Sequence, residues 1–264
     1  MYDFNYQAPS SLAEALAAIL SAEDGKLLAG GMTLIPTLKQ RLAQPSDLVD
    51  LAKLPELKGL SRDAGSVTIG AMTTHAEVAA SADVQAAIPA LAALAGNIGD
   101  AQVRHRGTIG GSICNNDPAA DYPSALVALG ATVKTNSREL AAEDFFTGMF
   151  ETALEPGEIV TSVTFPIPEK AAYMKFPNPA SRYAVVGVFV AKTGSAVRVA
   201  VTGAGPAVFR AGAFEQALAG DFSAAAVAGL KFAADDLNAD IHASAEYRAH
   251  LVTIMAKRAV ASIA

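Results

Sequence analysis

Thr108-Ile109-Gly110-Gly111-Ser112-Ile113-Cys114-Asn115-Asn116-Asp117-Pro118-Ala119-Ala120-Asp121 is the stretch on which the reading of this chain turns. Far upstream, Ala29-Gly30-Gly31-Met32-Thr33 repeats its plan of adjacent glycines beside a hydroxyl residue. Glycine has no Cβ and takes positive φ at little steric cost, so a glycine pair between a strand and a helix lets successive amides face one anion. The positive end of the following helix adds to the attraction. Thr33, Thr108 and Ser112 contribute hydroxyls at the loop edges. A single Gly-Gly is as readily an ordinary turn, but two with matching hydroxyls are expected to close on one phosphate-bearing ligand. Neither a complete G-x-G-x-x-G nor a Gly-Lys-Ser/Thr occurs, so spacing alone indicates phosphate without specifying which.

The chain has 264 residues, 52% of them apolar and 17% charged, enough for a substantial core in one large domain or two smaller ones. Its net charge of −6 argues against a nucleic-acid partner, which calls for a basic face. The longest apolar run, Ala184 to Ala191, is far short of the ~20 residues of a spanning helix. The first residues, Met1 to Tyr6, lack the basic and apolar regions of a secretory signal, so a cytoplasmic location is expected. One cysteine, Cys114, and four scattered histidines make no metal-ligand set. Any metal cluster must be held by another polypeptide.

Ser11 and Glu14 form a capping-box pattern that opens a first helix, and Lys26 to Ala29 reads as a short buried strand. A second helix is expected from an N-cap at Thr33 through Leu42, ending before Pro45. Asp47 to Leu51 and Val67 to Gly70 read as strands, Thr74 as the cap of a helix through Val78, and Val84 to Leu94 as one longer helix. After the glycine stretch come a helix at Tyr122 to Leu129 and strands at Ala131 to Thr135 and Ile159 to Phe165. Beyond Pro166 and Pro168, strands are expected at Tyr173 to Phe176, Val185 to Lys192 and Ala196 to Thr202, with a tight hairpin at Gly194-Ser195. Only helices should follow, at Phe214 to Leu218, Ala224 to Leu237 and Glu246 to Ile263.

The string Ala29 to Leu42, with Pro45 and Leu48-Val49-Asp50-Leu51, strongly resembles the first FAD motif of the molybdenum hydroxylase flavoproteins. Gly70-Ala71-Met72-Thr73-Thr74-His75-Ala76-Glu77 and Arg106 to Asp121 resemble the next two blocks. The resemblance spans the chain in order and is to medium subunits of the carbon monoxide dehydrogenase type, related to the flavin domain of xanthine dehydrogenase. It implies an α+β fold: a two-lobed FAD-binding domain of the PCMH type over residues 1–170, with lobes of about 1–52 and 53–170. A smaller C-terminal domain over 171–264 would carry a three-stranded antiparallel sheet and a helical bundle.

By that resemblance Ala29, Gly30, Gly31, Met32, Thr33 and Leu34 wrap FAD from one side, and Thr108, Ile109, Gly110, Gly111 and Ser112 from the other. Asp121 matches an acidic position that accepts a cofactor hydroxyl; its alternative is an N-cap for the helix at Tyr122. Val160 matches a backbone contact, and Lys175 one near the polar edge of the flavin. By pattern alone Lys175 is a solvated strand residue. Tyr183 falls where relatives place an aromatic near the isoalloxazine, with core packing the alternative. Arg104-His105-Arg106 is a cationic group that assists the phosphates or pairs at the surface. His75 is expected to be satisfied by a helix terminus, and Cys114 to be a packing residue.

No catalytic residue and no metal site is assigned to this chain. The resemblance implies an electron-transfer flavoprotein subunit. Its partners would be a large molybdenum-cofactor subunit and a small subunit with two [2Fe-2S] clusters, arranged as a dimer of heterotrimers, passing electrons through FAD to an external acceptor. A stand-alone FAD-dependent oxidoreductase of the same superfamily, with Arg182 and Tyr183 at a substrate pocket, and a noncatalytic phosphate-binding module are the alternatives.

Overall fold

The computed structural model describes residues 1–263 and leaves only Ala264, the last residue of the expected C-terminal domain, outside the described residues. Asn5–Gln7, Asp47–Asp50 and Gly25–Leu28 form a parallel three-stranded sheet in that spatial order, backed by the helix Leu12–Ser21. Ser11 accepts from the Glu14 amide and caps that helix, while the Glu14 carboxylate accepts from the N–H and hydroxyl of Ser10, so the reciprocal half of the expected capping box falls one residue earlier. A small core around Ala15, Val49, Leu54 and Leu57 holds the lobe together, with Met72 and Ile159 reaching in from the next one.

The second lobe is an antiparallel five-stranded sheet, ordered Leu60–Arg62, Ser66–Gly70, Val160–Pro166, Thr132–Thr135 and Glu139–Ala141. Short helices cover it. The expected helix from Val84 to Leu94 is two, Ala82–Ala87 and Pro89–Gly96. Pro89 has no N–H to continue the ladder and restricts Ile88 before it, so the chain breaks there and restarts with proline at the first helical position. Asp100 caps a helix Ala101–Arg106 that the pattern does not announce, since none of its residues is buried.

The third sheet runs Lys170–Pro177, Ala184–Thr193, Ala196–Thr202 and Phe209–Arg210, all antiparallel. It has four strands where three are expected, and the fourth, of two residues, is too short to show a period. The helix Ala245–Ala261 packs on one face over a core of Val186, Val188, Phe214 and Met255, while Phe189 and Ala200 on the other face join the core of the second lobe. The helix expected from Ala224 to Leu237 stops at Ala228: the cap falls on Gly229, and alanine propensity alone does not carry the chain further.

Candidate functional site

A cleft of about 640 Å³ opens where the two lobes and the loop 178–183 of the third sheet meet. The two glycine stretches face each other across it. Gly30 lies so close to the Arg106 carbonyl and the Gly107 Cα that a Cβ there would fall 2.0 Å from the carbonyl oxygen. Gly110 meets the Ala71 carbonyl in the same way, at 2.7 Å. Absent side chains therefore let three backbone segments touch, and this contact positions the cleft.

The two stretches differ in chemistry. Gly31 has φ of 73°, in the left-handed region, and turns the chain into the helix Leu34–Lys39. Among the described residues, the five amides from Gly30 to Leu34 have no acceptor within the protein, and all five residues line the cleft. Thr33 occupies the N-cap position in helical conformation, with no side-chain cap, and the helix ends at Lys39 because Arg41 turns with φ of 59°. Both findings correct the expected hydroxyl cap and a helix through Leu42.

Gly110 and Gly111 do not form a turn. They sit in the first turn of the helix Ile109–Asn115, and neither has positive φ. Their amides are already used: Ile109 donates to Thr73 O, Gly110 to Ala71 O, Gly111 to Thr108 Oγ1 and Ser112 to Thr108 O. The expectation that both pairs aim amides at one anion holds for the first pair alone. The second supplies a close wall without Cβ atoms, and the Thr108 hydroxyl is spent as its cap.

Of the residues singled out in the sequence, Ala29 to Leu34, Thr108, Gly110, Gly111, Ser112, Asp121, Val160 and Tyr183 line the cleft. Ile109 and Lys175 do not. Ile109 is fully buried in the core of the second lobe. Lys175 is neither solvated nor on the wall: its side chain is 6% exposed, and Nζ lies 2.9 Å from Asp121 and donates to Asn97 O at 2.9 Å. The hydroxyl of Tyr173 donates to the same carboxylate at 2.5 Å. Burial pushes the Asp121 carboxyl up, while Lys175 and Tyr173 oppose the shift. Asp121 occupies the N-cap position of the helix Tyr122–Leu129, yet its side chain does not cap, so that alternative is excluded.

Tyr183 is 45% exposed at the cleft edge, which rules out core packing. Burial of its hydroxyl, then Asp117 and Asp121, raises its pKa. Arg182, with φ of 63°, and buried Asn178 shape this loop; Asn178 Oδ1 accepts from the amides of Ala180 and Ser181. Cys114 is half-buried against the core with its thiol pushed up to about 12 by burial, consistent with packing. His75 is not satisfied by a helix terminus, as Nδ1 has no partner among the described residues. Arg104 donates to the carbonyls of Ile98 and Gly99, while His105 and Arg106 are exposed.

Glu158 lines the cleft and carries no sequence signal. Arg138 clamps it through Nε and Nη2, each at 2.8 Å, and this pairing holds its carboxyl well below the usual range. Nothing in the spacing of residues 138 and 158 marks them as partners. Only the pairing of Val160–Pro166 with Thr132–Thr135 brings them together.

The fold is thus a two-lobed domain with a glycine-walled cleft, followed by a domain built on an antiparallel sheet. Residues 2–168 match the model of the FAD binding domain in molybdopterin dehydrogenase, and residues 171–263 that of the CO dehydrogenase flavoprotein C-terminal domain. The chain belongs to this family. It is 36% identical to the carbon monoxide dehydrogenase medium chain of Hydrogenophaga pseudoflava, covering 97% of this chain and 96% of that one. It is 35% identical to the nicotine 6-hydroxylase medium subunit of Paenarthrobacter nicotinovorans, covering 97% and 95%. Among solved structures, reconstituted CO dehydrogenase from Oligotropha carboxidovorans superposes with a TM-score of 0.91 at 33% identity, covering 98% of this chain and 96% of that one. The cleft fits FAD on its own terms: unpaired amides suit a diphosphate, and Gly30 and Gly110 let the backbone segments that carry the cleft wall pack directly on one another.

Proposed function

We propose that this chain is the FAD-carrying medium subunit of a three-subunit molybdenum hydroxylase. It would accept electrons from [2Fe-2S] clusters of a small subunit, fed by a molybdenum cofactor in a large one, and pass them to an external acceptor. The observation that carries this reading is the run of five unpaired amides from Gly30 to Leu34 on the cleft wall. When bound, FAD supplies reversible electron storage in one- and two-electron steps.

The chain's own residues bind, shield and orient. Amides of the first glycine loop take the negative charge of a diphosphate, and the helix Ile109–Asn115 forms the facing wall. Asp121, held by Tyr173 and Lys175, offers a fixed acceptor for a ligand hydroxyl. Tyr183 covers the edge nearest the third sheet. Lys175 acts through Asp121 and not by touching the ligand.

The substrate of the complex is set elsewhere, since relatives named for carbon monoxide and for nicotine are 36% and 35% identical to this chain. A dimer of heterotrimers, located in the cytoplasm, is the assembly we propose. No helix is long and apolar enough to cross a membrane among the described residues. Titration of the purified chain with FAD, followed by flavin fluorescence, tests the cofactor role. Saturable quenching at one FAD per chain supports it, and no binding under native conditions overturns it. Co-purification with co-expressed large and small subunits tests the assembly.

A further inference from the structure

Two buried polar atoms behind the cleft wall have no hydrogen-bond partner among the described residues: His75 Nδ1 and the Tyr122 hydroxyl. They belong to neighbouring rings, with centroids 5.4 Å apart and planes at 48°. His75 is 4% exposed and Tyr122 fully buried. A buried donor or acceptor left unsatisfied forfeits its hydration without replacement, so such pairs are completed by a small bridging group. Two orphans of complementary kind on adjacent rings suit one internal water.

The rest of His75 is tightly placed. It opens the helix His75–Ala80, and its backbone N–H donates to Gly107 O at 3.0 Å. Its ring lies against Gly107, where a Cβ would meet Nε2 at 2.6 Å. Gly107 follows Arg106, whose carbonyl touches Gly30. His75 thus stands behind the contact that joins the two glycine stretches, and it lines the cleft itself. Among the described residues no group is hydrogen-bonded to Nε2, which, unlike Nδ1, is not sealed from solvent.

We propose that His75 is a cofactor-positioning residue, whose Nδ1 is anchored through an internal water to the Tyr122 hydroxyl and whose Nε2–H is thereby presented to acceptor atoms of FAD in the cleft. The anchor fixes the tautomer: with Nδ1 accepting, the proton resides on Nε2. Burial and the nearby Arg104 charge keep the imidazole uncharged near neutral pH, in agreement with this geometry. The inference rests on the FAD reading above and deepens it, since it adds a donor that the glycine loops do not provide.

The test uses the full chain labelled with 15N-histidine, with His75→Gln identifying the resonance. The expected spectrum shows a bare Nδ1 and a protonated Nε2 on His75, and FAD shifts the Nε2 signal. His75→Phe should weaken FAD binding by about tenfold and Tyr122→Phe by about threefold, with the double variant no worse than His75→Phe alone. His75→Gln, which keeps a donor near Nε2, should recover most of the loss. A proton on Nδ1, or FAD affinity unchanged in His75→Phe, overturns the proposal. If His75→Phe does not fold, the spectrum and His75→Gln decide. If wild type binds no FAD, the cofactor reading fails, and the tautomer of the unliganded chain still decides whether the anchor exists.

Discussion

Lys175 Nζ lies 2.9 Å from the Asp121 carboxylate, with 6% and 4% of the two side chains exposed. The lysine comes from the first strand of the third sheet and the aspartate from the floor of the cleft, so this buried pair ties the C-terminal domain to the site. Removing one partner leaves an uncompensated buried charge, at a cost of about 3–5 kcal/mol. Lys175→Met should lower the unfolding free energy in urea by that order. Lys175→Met with Asp121→Asn should recover a good part, because neither remaining group is charged. A double variant that loses the sum of the two single losses would show that the pair is not coupled.

Gly30→Ala places a methyl 2.0 Å from the Arg106 carbonyl, while Gly111→Ala meets only Thr108 Oγ1 at 3.0 Å and Ala29 Cβ at 3.4 Å. Backbone cannot yield as a side chain can. Gly30→Ala should therefore destabilise by about 1–3 kcal/mol and lose most FAD, with Gly111→Ala milder in both. Flavin content per chain and thermal midpoint measure the contrast.

His75 predicts acid sensitivity. Burial, then the Arg104 charge, holds its imidazole at about 4 in the folded chain, against roughly 6.5 when unfolded. Between those values the unfolded chain binds a proton that the folded chain does not. Stability is thus complete above about pH 6.5 and is lost as pH falls toward 4, on the order of 3 kcal/mol in total. Urea unfolding at about pH 7.5 and 4.5 should show a smaller acid loss in His75→Phe than in wild type. Identical losses would contradict the shift.

Arg138→Ala leaves Glu158, 6% exposed, with its carboxylate stripped of the bidentate clamp. We expect a loss of about 1–3 kcal/mol and weaker FAD binding, because Glu158 to Val160 forms part of the cleft wall. Arg138→Lys should restore charge without the fork and recover only part of both. Full recovery would show that charge, not geometry, holds Glu158.

The strands at residues 66–70, 160–166 and 184–202 were legible because apolar residues recur at the period of a half-buried or buried sheet. Caps at Ser11 and Thr74 were legible because a hydroxyl three residues before a glutamate is a local device, fully contained in the sequence. The helix Ala101–Arg106 was not, since it buries no face. The break at Ile88–Pro89 was written in the chain but outweighed by the alanine-rich pattern around it.

By itself the sequence singled out two glycine pairs, both of which line the cleft, and showed that the chain follows the molybdenum hydroxylase flavoproteins from end to end. Which pair offers its amides was decided only in the folded molecule. Donors of the second pair are taken by the Ala71 carbonyl, brought there by packing, and by the Thr108 hydroxyl, the cap of their own helix. Hydrogen-bond capacity is local, but the acceptor that consumes it need not be. The same holds for Lys175: a lysine on an amphipathic strand reads as solvated until an aspartate 54 residues away is folded against it.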